Sequence, residues 1–182
     1  MYNIQGEITM YTLKPDEKTT PVMIYTQHSV VRGDLVTKQS VLRINIWLRT
    51  DGAPRYLHVI KPQILIFGGG PVKPLSYAEI FYPTLEVIAF HTLPPMDEPL
   101  DYDPKEANRM MAPAEILVGT FVMKGNVRIS TQTDMSSSLE MARVAWMSIY
   151  EISVSNPHLP QMAVLQVPMA LVNPNRVAYA LT

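Results

Sequence analysis

Residues 22–26 and 30–37 are rich in β-branched and apolar side chains, and the polar Gln27-His28-Ser29 separates them. This pattern predicts a β-hairpin. Residues 115–118 and 121–129 carry the same pattern. With Gly33 laid on Gly125, 92 positions later, Pro21 falls on Pro113, Ile24 on Ile116, Val30 on Val122, Arg32 on Lys124 and Asp34 on Asn126. Further on the spacing becomes 90: Tyr56 falls on Trp146, Leu57 on Met147, Val59 on Ile149, Lys61 on Glu151, Ile64 on Val154, Phe81 on Leu171 and Val87 on Val177. A two-residue insertion near Asp51-Gly52-Ala53-Pro54 accounts for the change. The pairs at the 92-residue spacing each keep a physical role, and the chain reads as a tandem duplication.

Residues 55–60 and 63–67 read as strands matched by 144–154, and 76–82 and 86–91 as strands matched by 164–172 and 176–181. Each copy thus holds about five strands. Gly33 and Gly125 sit inside the second run of their hairpins, where glycine marks a bulge or the close approach of another backbone. Bending of this kind is what a small barrel needs. Leu42, Ile44, Ile46 and Leu48 have the period of a strand, whereas their partner segment, residues 134–141, has Asp or Ser caps and reads as a helical turn. If the copies share a fold, a short helix occupies both places.

The fold class expected is all-β with minor α: two tandem, pseudo-equivalent, small antiparallel β-barrel units joined by a short helical linker. Residues 1–20 form a leading strand outside the repeat, centred on 2–13 and suited to pair with an open edge. The first repeat spans 21–92, the linker 93–112 and the second repeat 113–182. Asp103, Pro104 and Glu106 open a helix predicted over residues 103–111.

Fifteen basic against 16 acidic residues give a formal charge of −1, which does not steer the chain toward polyanions or anionic membrane. No cysteine is present, so disulfides, thiolate nucleophiles and Cys-type zinc sites are excluded. No apolar run approaches membrane-spanning length, and a soluble, cytoplasmic protein is expected.

Arg32-Gly33-Asp34-Leu35, followed by Ile44-Asn45-Ile46-Trp47-Leu48, resembles the glycine-to-asparagine stretch of the first Sm motif. A bent five-stranded unit with glycine in its second strand resembles the small barrels of the SH3 and Sm-like type. The resemblance implies a barrel fold and, by analogy, single-stranded nucleic acid as a ligand. The place of that motif's aspartate holds Gln39 and Thr131, so no RNA-contacting residue carries over.

Phe67-Gly68-Gly69-Gly70-Pro71 lacks the Lys-Ser or Lys-Thr and the helix start of a phosphate loop, and reads as a turn. His28, His58, His91 and His158 fall on Thr120, Ser148, Leu181 and Gly68 across the repeat, which does not describe a duplicated metal site. Ser136-Ser137-Ser138 reads as a helix cap, and the carboxylates of residues 97–103 as a solvated linker. No catalytic, cofactor or metal residue is assigned. Arg32, Trp47, Arg49, Arg55 and Tyr56, with Tyr25 nearby, form the candidate binding surface, basic groups interleaved with aromatic ones. The function expected is a non-enzymatic interaction or assembly protein, either a homo-oligomer or one with a protein partner, and without a membrane role. The alternatives are a nucleic-acid-binding module and an enzyme or small-ligand binder with its site between the halves.

Overall fold

The computed structural model describes residues 11–68, 70–94, 107–141 and 144–180. The first half runs β1 (Glu17–Tyr25), β2 (Ser29–Lys38), α1 (Ile44–Trp47), β3 (Tyr56–Ile66), β4 (Lys73–Ser76), β5 (Glu79–Pro83), a tight helical turn (Thr84–Glu86) and β6 (Ala89–Thr92). The second runs β7 (Arg109–Val118), β8 (Phe121–Ser130), α2 (Met135–Met141), β9 (Met147–Ser155), β10 (Leu165–Val172) and β11 (Ala178–Ala180). The protein is all-β with minor helix. Its strands form one 11-stranded sheet in the order β11-β7-β8-β9-β10-β6-β1-β2-β3-β4, with β5 also on β3, and all pairs are antiparallel. Among the described residues no helix is long and apolar enough to cross a membrane.

The halves repeat at the level of hydrogen-bond register. Val22 pairs with Gly33, and Ala114 with Gly125. Arg32 pairs with Gln63 and Asp34 with Ile60; Lys124 pairs with Ser153 and Asn126 with Tyr150. In each half one glycine therefore faces two residues of the next strand, a β-bulge. The bulged residues Lys61 (φ 50°) and Glu151 (φ 52°) are the non-glycine positions of positive φ among the described residues. They are matched at the 90-residue spacing. The glycines serve space rather than backbone freedom, since neither has a positive φ. A Cβ on Gly33 would meet Val59 Cγ1 at 2.5 Å, and one on Gly125 would meet the Tyr150 carbonyl oxygen at 2.7 Å.

Residues 44–47 form the short helix expected if both halves share a fold, not the strand suggested by their period of two: Ile44 and Leu48, one turn apart, point into the core while Leu42 and Ile46 point out. Several other boundaries differ from the sequence expectations. Residues 55–60 and 63–67 are one continuous strand, bulged rather than broken. The linker helix predicted over 103–111 does not reach its end: Arg109, Met110 and Met111 are paired with Ser130, Ile129 and Arg128, and this ladder supplies their backbone partners. Residues 95–106, with Asp103, Pro104 and Glu106, lie outside the described residues, as do residues 1–10 of the leading strand. Residues 11–14 are not strand, and β1 starts at Glu17, as β7 starts at Arg109.

The two hydrophobic clusters interlock. The one centred on the second half takes in Tyr25, Val30, Phe67, Ile88 and Ala89 of the first, and the one centred on the first takes in Trp146 and Leu171 of the second. The sheet is continuous across this joint through Leu171↔Phe90 and Val172↔Ala89. Gly119 (φ +57°) turns β7 into β8 there, and a Cβ on it would lie 2.7 Å from the Thr26 carbonyl oxygen.

Candidate functional site

The sequence-derived surface falls into separate places. Arg32 is exposed on β2 beside the bulge and opposite Gln63. Tyr56, exposed at the start of β3, stands about 20 Å further along that strand. Arg55 is its neighbour, and the Arg55 carbonyl accepts from the Thr84 N–H at 2.9 Å. Trp47, on α1, is half-buried against the first core. Arg49 follows α1 and donates to Ser148 Oγ on β9, in the other half. Tyr25 is buried: its ring meets Phe121 edge-on at 4.9 Å and its hydroxyl lies 3.0 Å from His91 Nε2.

Arg49 lines a cleft of about 580 Å³ together with Arg109, Arg128, Trp146, Tyr150 and Ser138. The β7–β8 ladder puts Arg109 and Arg128 there, since Arg109 pairs with Ser130 and Met111 with Arg128. Sequence reasoning missed both arginines, having placed Arg109 in a linker helix. Their cue is the shared ladder, in which residues two apart share a face.

The four histidines have separate environments. His91 is buried; its Nδ1 donates to the Thr92 carbonyl at 2.9 Å and its Nε2 accepts from Tyr25. Burial holds its pKa down at about 4. His58 stacks on Phe81 at 4.4 Å, receives the edge of Tyr11 and lies 2.8 Å from Glu79 Oε2. His28 and His158 lie in turns. No group of three or more His, Cys, Asp or Glu able to hold a metal occurs among the described residues. Asp134 accepts from the Ser137 N–H at 2.8 Å and caps α2. Gly68 and Gly70 face open space in the β3–β4 turn, and the acidic residues 97–103 lie outside the described ones.

At the outer side of the first half an apolar cavity of about 530 Å³ is lined by Ile64, Ile66, Leu75, Tyr77, Ile80 and Tyr82. Phe81 and Leu85 are exposed nearby. At the opposite end of the sheet β11 pairs only with β7 among the described residues, and Leu117 of β7 is exposed. The chain thus offers two chemically different surfaces, a basic cleft on the second half that Arg49 of the first half reaches, and exposed apolar side chains near both ends of the sheet. Comparison with protein-family models, curated proteins and solved structures finds no match to this chain.

Proposed function

We propose that the chain is a non-enzymatic assembly protein built from two small five-stranded barrels of the SH3 and Sm-like kind, which self-associates through its sheet edges. Each half supports the barrel reading by its strand order. The last strand returns beside the first, giving β6-β1-β2-β3-β4/β5 and β11-β7-β8-β9-β10, and a glycine bulge between the second and third strands is a device that bends a strand pair. The observation that carries the assembly reading is the pair of sheet ends: β11 and β4/β5 have no outer strand partner among the described residues, with Phe81 exposed on β5 and Leu117 exposed on β7 beside β11. Such edges invite pairing with another chain. Sedimentation velocity of the full chain over a range of concentrations tests this. Species heavier than the 20.5 kDa chain are expected, and a single 20.5 kDa species at high concentration would remove the self-association reading.

A second reading, polyanion binding, is favoured by the convergence of Arg49, Arg109 and Arg128 in one cleft. It expects single-stranded RNA or DNA to bind at low salt with affinity that falls steeply as salt rises. No binding at low salt would dispose of it.

A further inference from the structure

The two ends of the sheet are complementary, because the chain already contains their joint once, between its own halves. That inner joint sets the fourth strand of the second half, β10, against the last strand of the first, β6. The outer ends present the remaining two counterparts: the fourth strand of the first half, β5, and the last strand of the second, β11. Positions that are buried at the inner joint are exposed at the outer ends. Leu171 is 1% exposed and its counterpart Phe81 57%; Trp146 is 7% exposed and its counterpart Tyr56 56%. On the receiving side, Tyr25 is 0% exposed and its counterpart Leu117 46%. Leu171 and Trp146 are the side chains that enter the other half's core, so the same two positions of the first half carry large aromatic groups with no neighbouring core to enter.

Charge follows the same rule. Arg176 lies across the inner joint, donating to the Leu85 carbonyl and reaching Glu86 Oε2 at 3.4 Å. Glu86 is itself the counterpart of Arg176 at the 90-residue spacing. At an outer joint the two positions come together with their parts exchanged, Glu86 of one chain beside Arg176 of the next, each of them already paired within its own chain.

Resting on the assembly reading, we infer that copies of this chain associate head to tail, β5 of one pairing antiparallel with β11 of the next, Phe81 opposite Tyr179 and Tyr82 opposite Ala178. The register follows from Leu171↔Phe90 and Val172↔Ala89, since β6 and β11 take equivalent places on β1 and β7 (Tyr25↔Ala89, Leu117↔Ala178). The contact is heterologous, so it either closes into a ring or grows as a filament. It is weaker than the inner joint in two respects. Pro83 stands where Asn173 donates its N–H to the Ile88 carbonyl at 2.8 Å, and the shorter β10–β11 connection has no second residue to match Ile88 beside Val87.

The chain has no cysteine, so engineered ones report on this contact alone. The Asn173-to-Ile88 bond makes Val172/Ala89 a non-hydrogen-bonded pair, the kind whose side chains lie closest, and Tyr82/Ala178 is its outer counterpart. Full-length Tyr82→Cys and Ala178→Cys variants, each confirmed folded by circular dichroism, are oxidised singly and as a mixture. Disulfide dimers are expected from the mixture and not from either variant alone. Cross-linking of a single variant with itself as efficient as in the mixture, or none in the mixture, would overturn the head-to-tail register. Sedimentation of the unsubstituted chain separates the two failures: heavy species without the mixed disulfide sink this joint and leave assembly standing, whereas a strict monomer, including one whose edge is covered by its own residues 1–10, sinks both. Phe81→Glu, which gives up the stack on His58 and is therefore first confirmed folded by circular dichroism, is expected to weaken association about tenfold or more; unchanged association would count against the joint.

Discussion

Adding one methyl group at the bulge glycines tests why they are glycine. At Gly125 the new Cβ would lie 2.7 Å from the Tyr150 carbonyl oxygen, 3.0 Å from Ile149 Cγ2 and 3.1 Å from Ile152 Cγ1. The carbonyl belongs to the residue paired with Asn126, so it cannot retreat without disturbing the β8–β9 ladder. At Gly33 the nearest atom is a Val59 methyl at 2.5 Å, with the Ile60 oxygen at 3.1 Å. That methyl can move by a side-chain rotation, at a cost because Val59 is fully buried. Overpacking of this kind costs about 1–3 kcal/mol. Alanine returns about 0.4–1 kcal/mol by stiffening the unfolded chain. The net expectation is a loss of about 2 kcal/mol for Gly125→Ala and about 1 kcal/mol for Gly33→Ala. For a chain of this size the larger loss lowers Tm by roughly 4–8 °C. Urea unfolding followed by circular dichroism should move the midpoint in that order with the slope unchanged. A Gly125→Ala variant as stable as the parent, or more so, would refute the close approach of β9 and with it the account of the bulge.

His91 makes stability pH-dependent. It is neutral and buried with a pKa near 4, against an ordinary 6.5 when unfolded, so the unfolded chain takes up a proton that the folded one refuses. Stability should fall by about 3 kcal/mol from about pH 7.5 to 4 through this group, be flat in it above that range, and lose most of that slope in His91→Phe, as read by unfolding midpoints across pH. Glu17, held down at about 2 by the Tyr11 hydroxyl, the Lys14 N–H and Lys38, adds a loss of stability as pH falls from 4.5 toward 2. Tyr11→Phe should shrink that part of the acid transition. Lys61 sits at a positive φ in the bulge, so Lys61→Val should destabilise by about 1–2 kcal/mol while Lys61→Gly is neutral or slightly stabilising. Equal effects of the two would contradict the left-handed bulge. Gly119→Ala meets both a positive φ and the Thr26 carbonyl and is expected to cost about 2 kcal/mol or more in thermal unfolding.

The shared bulge was legible because its residues play the same local part in each half, Gly33 and Gly125 each facing the bulged strand and Lys61 and Glu151 each forming the bulge. The repeat also resolved α1, where period two alone points to a strand, through the helical character of residues 134–141. The joint between halves was not legible. Whether an aromatic side chain at a strand start is buried, as Trp146 is, or exposed, as Tyr56 is, depends on what the rest of the chain brings against it. The basic cleft escaped for a related reason: Arg49 meets Arg109 and Arg128 only after the halves dock, and nothing in their spacing along the chain announces it.

The claim on which the rest depends, that one bulged unit occurs twice in one register, is tested most directly by solution NMR of the full chain. Cross-strand contacts are expected between Asp34 and Ile60 and equally between Asn126 and Tyr150, with strong intraresidue HN–Hα contacts marking the left-handed backbone of both Lys61 and Glu151. One half showing this bulge while the other pairs in a different register would contradict the account.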